Sequence, residues 1–311
     1  MAAEYIGIDV GGTKCAVMRA KVGQGIEIEE KIRFETKSWK GPQYALDGIF
    51  SGVDKLWTER VQAIGVSCGG PLDAKRGVVL SPPNLPGWDA VPITDMLGER
   101  FGVPAYLQND ADASAVAEWK FGAGRGTDNM VFFTFGTGLG AGLILNGRLY
   151  TGANGMAGEA GHVRLARTGP VGYGKAGSFE GFCSGGGIAQ MAREKMRAGA
   201  DFGVSSQNVS AKEVMEAARA GMPEAVEIVE TCGKQLGRGL AVVIDILNPE
   251  KIVLGGIYPR ARDLLEPYLS ETLKEEALEL SCRGCEILPA ALGEQIGDYA
   301  AIAAAMREKW A

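Results

Sequence analysis

Residues 5–20 (YIGIDVGGTKCAVMRA) run as an apolar stretch, an acidic residue, a glycine turn and a second apolar stretch. Tyr5, Ile6 and Ile8 lead into Asp9, and Cys15, Ala16, Val17 and Met18 lead away from the turn. Both arms have strand length and β-branched or aromatic content, which predicts a β-hairpin. The turn Gly11-Gly12-Thr13-Lys14 is expected to free the backbone for positive φ and to leave N–H groups facing an anion. Two glycines alone more often close an ordinary hairpin. The pattern returns, however, at 131–145: an apolar run to Phe135, the turn Gly136-Thr137-Gly138-Leu139-Gly140, then a second apolar run. Such a repeat predicts a duplicated architecture with a phosphate held between two loops. Each turn is followed by a strand and no G-x-x-x-x-G-K-[ST] run is present, so neither fits a P-loop or a dinucleotide fingerprint.

Between these landmarks the periodicity predicts strands at 24–34, 63–67, 104–107, 251–254 and 286–288. Helices are predicted at 44–60, 93–101, 111–121, 187–198, 210–220, 223–247, 259–279 and 296–309. Residues 81–89 are too rich in proline and glycine for regular structure. The glycine-dense stretch 151–187 reads as irregular, a length of loop that usually carries function. A composition break at 122–129 marks a boundary. Helices and strands alternate in each half, which defines an α/β fold.

With 311 residues the chain can build two domains, each with a core. A net charge of −6 argues against a nucleic-acid or membrane-surface partner. No apolar run approaches the roughly 18 residues that span a bilayer. Strand pattern begins by Tyr5, leaving no room for a signal peptide, and a cytoplasmic location is expected. The six cysteines are scattered, as in a reducing compartment. Cys282 and Cys285 form the one C-x-x-C, and the only histidine, His162, is far away in sequence. That pair reads as reduced thiols at the start of the last strand.

Several further motifs stand in a characteristic order: GGPLD (69–73), PNLPGW (83–88), QNDADASAVAE (108–118), FGTGLGAGLI (135–144), GEAGH (158–162), LNPEKIVLGG (247–256) and PAALGEQIG (289–297). With DVGGTK (9–14) they make the chain resemble the ROK group of sugar kinases nearly end to end. The resemblance implies a two-domain, actin-like ATPase fold, the hexokinase and ribonuclease H-like duplication. It places 1–118 with 295–311 in one lobe and 119–294 in the other.

Residue by residue, the resemblance implies that Asp110 is the catalytic base, accepting the proton of a sugar hydroxyl as it attacks ATP. Its place just before a helix would hold the carboxylate ionised; on spacing alone a helix N-cap is the commoner role for such an aspartate. Gly70, Asn84, Asn109, Glu159, His162 and Glu180 match sugar-contacting positions. Gly11, Gly12, Thr13 and Lys14, with Gly136, Thr137 and Gly138, would cradle the ATP phosphates, and Gly255 and Gly256 would admit the adenosine. Asp9 would orient Mg2+, directly or through water.

The chain departs from the family at one place. Where most members carry three zinc-binding cysteines, Val171, Tyr173 and Ser178 stand here. His162 alone cannot hold zinc, so no structural zinc is expected. The loops of 151–187 must then be held otherwise, by the Tyr173 and Phe179 rings for example. His162 is left as a sugar contact or a packing residue. The expected activity is ATP- and Mg2+-dependent phosphorylation of a hexose 6-hydroxyl, glucose first, with lobe closure excluding water. Allose, fructose, mannose, N-acetylglucosamine and N-acetylmannosamine remain as other acceptors. A sugar-responsive repressor and a non-catalytic sugar binder rank lower, because only eight residues precede Asp9 and because Asp110 is intact. The resemblance also suggests a homodimer.

Overall fold

The computed structural model describes residues 3–309. They pack as two compact units, one of residues 3–126, 142–157 and 292–309, the other of 127–141 and 158–291. The strands of the first unit are β1 (Ala3–Val10), β2 (Lys14–Val22), β3 (Ile26–Glu35), β4 (Val61–Cys68), β5 (Leu72–Asp73), β6 (Val78–Val79) and β7 (Ala105–Asn109). Its first helices are α1 (Pro42–Leu56), α2 (Ile93–Phe101) and α3 (Asp110–Phe121).

The predicted hairpin is present: β1 and β2 pair antiparallel down to Val10 opposite Cys15, which leaves 11–14 as the turn. The five-stranded sheet has the order β3-β2-β1-β4-β7, with β4 parallel to both β1 and β7. β4 is buried on both faces, which explains its nearly continuous apolar run. β3 is an edge strand, and its charges guard that edge: Arg19 pairs Glu29 at 3.2 Å and Glu30 at 2.7 Å.

Helix α1 opens with Pro42 at its first turn, where the missing N–H costs nothing. It lays Ala45, Leu46, Ile49, Val53 and Leu56 on one face of the sheet. Truncating Ile49 to alanine there should cost about 2–5 kcal/mol. The opposite face takes α10 (Ile296–Ala305), an alanine-rich helix. A side chain at Gly65 would overlap the backbone of Ala301 and Ala305, so only glycine lets this helix lie against β4. Segment 142–157 completes the unit with the β9–β10 hairpin (β9, Ala141–Leu145; β10, Arg148–Leu149). Gly142 packs against the backbone of α3, close to Ala111.

In the second unit β13 (Lys251–Leu254) lies parallel between β8 (Met130–Phe133) and β14 (Glu286–Pro289). Its other elements are β11 (Val171–Gly172), β12 (Lys175–Ala176), α4 (Phe179–Phe182), α5 (Gly185–Arg197), α6 (Ala211–Arg219), α7 (Pro223–Leu247), α8 (Tyr258–Glu276) and α9 (Glu279–Arg283). α7 and α8 pack closely, because Gly233 and Gly237 leave room for Tyr268 and Thr272.

The helix predicted over 259–279 is present but ends at Glu276, and a separate short helix, α9, starts at Glu279. The chain turns extended at Ala277, and Asp245 takes the freed N–H of Leu278 at 3.0 Å. Cys282 therefore sits on α9 and Cys285 just before β14, both as free thiols. The stretch 151–187 is largely turns, with a short 3-10 run at Glu159–His162 and the small β11–β12 hairpin.

Candidate functional site

In the first unit the ends of β1, β4 and β7 bring most of the predicted residues together. β7 ends at Asn109, whose side chain caps α3 by accepting the Ala111 N–H at 2.9 Å. Asn109, not Asp110, is thus the N-cap, and Asp110 is the first helical residue. Its Oδ1 also accepts the Ala111 N–H, at 2.8 Å. Gly69 and Gly70, after β4, face this corner: a Cβ on Gly69 would stand 3.7 Å from Asp110 Oδ2, and one on Gly70 3.4 Å from Asn109 Nδ2. Both are ordinary contact distances, so these glycines border the two polar groups without being required for space.

The Asp110 carboxyl titrates above the ordinary carboxylate range. Burial by the surrounding protein raises it, and the backbone N–H bonds at the helix start pull it only part of the way back. Helix capping therefore does not dominate, contrary to the expectation from sequence. Asp110 still keeps an exposed side. A carboxylate with a raised pKa, fixed at one oxygen and open at the other, is suited to receive a proton.

Asp9, at the end of β1, is pushed up to about 6 by burial first, then by the charges of Asp298 and Asp110, while Lys31 and Arg33 pull it down. Gly297, one residue before Asp298, makes space for it: a Cβ there would come within 3.1 Å of Asp9 Oδ2. Accumulated negative charge of this kind fits a cation. Among the described residues no group of three or more His, Cys, Asp and Glu is placed to hold a metal. A magnesium ion at Asp9 would accordingly take its other ligands from water and phosphate.

The turn itself corrects one expectation. Neither Gly11 nor Gly12 has positive φ. Glycine is required there for space, since a Cβ on Gly12 would lie 2.6 Å from the Asn84 carbonyl oxygen and one on Gly11 2.8 Å from that of Lys14. Thr13 and Lys14 project into solvent, as does Asn84. Thr36, fully buried after β3, fastens the turn: its N–H donates to Thr13 O at 2.9 Å and its hydroxyl to Gly11 O at 2.5 Å.

In the second unit the turn after β8 closes through Gly136 N–H to Gly138 O at 3.0 Å and Thr134 N–H to Gly140 O at 2.9 Å. Glu180 reaches it: Oε2 accepts the Leu139 N–H at 3.0 Å. Gly161, inside the GEAGH run, lies against the same turn, where a side chain would overlap the Leu139 carbonyl. Glu159 and His162 flank that glycine, both exposed. The first residues of α5 also bind the turn, Gly185 N–H to Gly136 O at 2.7 Å and Gly186 N–H to Thr137 O at 3.2 Å. Gly255 and Gly256 follow β13 into the same neighbourhood. Gly256 has φ of +61° and no room for a Cβ beside Phe135 O, so two independent constraints demand glycine.

Where the three cysteines would stand, other contacts hold the loop. Ser178 is fully buried, caps α4 by accepting the Gly181 N–H at 3.0 Å and donates to Gly172 O at 3.4 Å. The His162 ring meets Tyr173 edge-on at 6.4 Å, and Lys175 donates to the His162 carbonyl at 2.7 Å. Phe179 is buried against Phe133 at 5.8 Å. The Val171 N–H finds Gln190 Oε1 at 2.6 Å.

Three supporting residues escaped sequence reasoning: Thr36, Asp298 and Glu118. Glu118 is fully buried and holds Ala123 N–H at 2.8 Å and Leu292 N–H at 2.9 Å. Two of them left a signal: Glu118 closes the motif at 108–118, and Asp298 follows directly on the glycine that ends the motif at 289–297.

The sequence model of the ROK family matches residues 5–308. A glucokinase of Halalkalibacterium halodurans is 33% identical over 306 residues, spanning 94% of this chain and 92% of the relative. A ROK hexokinase of Thermus thermophilus has a similar structure, with TM-score 0.84 at 29% identity over 98% of this chain and 99% of that one. A ROK family glucokinase of Streptomyces griseus, solved in complex with glucose and AMPPNP, gives TM-score 0.79 at 30% identity over 98% and 100% of the two chains.

Proposed function

The chain belongs to the ROK family, and from that premise we propose that it is an ATP-dependent sugar kinase acting on the 6-hydroxyl of a hexose, glucose ranked first. Its fold is the two-domain, actin-like α/β architecture of its solved relatives. The observation that carries the catalytic reading is Asp110: a carboxylate of raised pKa, seated by Ala111 N–H, with Gly69 beside its second oxygen.

In this mechanism Asp110 accepts the proton of the attacking hydroxyl, while Asn109, Asn84 and the Gly70 backbone orient the sugar. Glu159, His162 and Glu180 supply further hydroxyl contacts. The turns 11–14 and 136–138 would cradle the phosphate oxygens, with the Gly11 and Gly136 N–H groups closing the turns and the remaining N–H groups facing the ligand, and Lys14 neutralises charge. Asp9 would hold Mg2+, which supplies charge neutralisation on the phosphates. Gly255 and Gly256 leave space for the adenosine. A functional division at 118/119 and 294/295, a homodimer and a cytoplasmic location belong to the same proposal. Among the described residues no helix is long and apolar enough to cross a membrane. Mannose, fructose, allose, N-acetylglucosamine and N-acetylmannosamine are the alternative acceptors, and a non-catalytic sugar-binding regulator is the second reading.

Asp110→Asn separates the two readings. The amide keeps the shape but cannot take the proton, so turnover should fall by about 10²–10⁴-fold while glucose still binds by calorimetry. Unchanged turnover would remove Asp110 from the chemistry.

A further inference from the structure

Glu180 is expected to touch the sugar, yet in the structure one of its oxygens is already engaged with the second glycine turn. Oε2 accepts the N–H of Leu139 at 3.0 Å. Leu139 is buried, so this N–H has a fixed direction. The neighbouring glycine makes the contact possible: a Cβ on Gly138 would lie 2.8 Å from the same Oε2. Gly138 has no positive φ, so space for this carboxylate, and not backbone conformation, is what the position requires.

The seat of Glu180 is rigid. Ser178 caps its helix at Gly181, and Phe179 is buried against Phe133 and against the backbone of Gly239. The other oxygen, Oε1, takes no hydrogen bond from the described residues, and the residue as a whole is half-buried. A bifunctional acceptor thus has one oxygen on the phosphate-binding turn and one to spare. The sugar-side run adds a second grip, because Gly161 rests on the Leu139 carbonyl and its own neighbour is His162.

We propose that Glu180 is a positioning residue that couples the sugar to the nucleotide: a sugar hydroxyl on Oε1 fixes the carboxylate, and Oε2 fixes the Leu139 N–H and with it the turn 136–138. The inference rests on the kinase reading above and goes beyond it. It requires that each substrate bind more tightly when the other is present, by the same factor in both directions. A purely local role for each residue makes a different prediction. In that case changes at Glu180 alter sugar affinity alone, and changes at Gly138 alter nucleotide affinity alone.

The experiment titrates AMPPNP by calorimetry into the wild-type protein and its variants, with and without saturating glucose, and measures KM for both substrates. Glucose should tighten AMPPNP by about tenfold in the wild type. That factor should fall to about onefold in Glu180→Ala, and also in Gly138→Ala, where the methyl group displaces the carboxylate without altering its chemistry. KM values should cross over, with Gly138→Ala raising KM for the sugar and Glu180→Ala raising KM for ATP. Glu180→Gln should retain most of the coupling, since its amide can accept from Leu139 N–H and donate to a hydroxyl. Equal coupling in wild type, Glu180→Ala and Gly138→Ala overturns the inference while leaving the kinase reading intact. A wild-type protein that binds neither ligand overturns both.

Discussion

The two glycine turns share a sequence pattern but are held by different chemistry. The turn at 11–14 ends a long antiparallel ladder and is fastened by the buried Thr36, with the backbone of Asn84 pressed against Gly12. The turn at 136–140 is fastened by the Glu180 carboxylate, by the first N–H groups of α5 and by Gly161. One turn leans on neutral backbone and a hydroxyl and carries its own cation, Lys14. The other leans on a charged side chain that is itself expected to meet substrate. Both need glycine for space, yet what fills that space differs: the backbone of Asn84 at Gly12, the end of a side chain at Gly138. A repeated sequence pattern thus yields two turns that close through different bonds and are fastened by different partners.

The most severe test of this contrast is Gly12→Ala beside Gly138→Ala. At Gly12 the added methyl meets a backbone carbonyl, which gives way less readily than the end of a side chain, and kcat/KM for ATP should fall by about 10³-fold, roughly 4 kcal/mol. At Gly138 the side chain can swing away, so the same parameter should fall no more than about tenfold. Equal losses at the two sites would end the distinction between a stiff turn and a coupled one.

Next in size is Asp9→Asn. Turnover should fall by about 10²-fold and respond less steeply to Mg2+. Its native pKa of about 6 lies above the ordinary 3.8, so its protonated form stabilises the fold. That stabilisation is complete below pH about 4 and is lost as pH rises through about 6. The metal-free Asp9→Asn protein should therefore be more stable than wild type at pH 7.5, by on the order of 2 kcal/mol, with the gap closing below pH 4. Thermal melts across that range check the sign, and a gap that widened in acid would refute it.

A smaller effect is expected at Thr36→Val, which removes the hydroxyl from Gly11 O and keeps the shape. KM for ATP should rise about tenfold with little change in KM for the sugar. Thr36→Ser should restore it. Smallest of all, Ser178→Ala removes a helix cap and should lower stability by about 1 kcal/mol. The sugar KM should rise a few-fold as Glu180 loosens, and chelators should not change it.

Much of this was legible in the sequence because it rests on local pattern. Alternation and glycine spacing located both turns, and the bounds of α2, α7 and β13 follow from periodicity alone. The reason for the glycines was misread at Gly11 and Gly12, since positive φ is a local property and crowding by Asn84 is not. Thr36, and the role though not the presence of Glu118, were hidden for the same cause: a buried hydroxyl or carboxylate that satisfies distant backbone has no signature of that task in its neighbours. The break at Ala277 was hidden because Asp245, far away in the chain, supplies the partner that ends the helix. The raised pKa of Asp110 likewise depends on how many elements crowd it, which spacing does not encode.

The most direct test of the account is a coupled assay of ADP release by the wild-type protein with ATP and Mg2+ across glucose, mannose, fructose, allose, N-acetylglucosamine and N-acetylmannosamine. The account predicts sugar-dependent release with glucose the preferred acceptor and phosphate recovered on its 6-hydroxyl. ADP release that no sugar raises above background would contradict it.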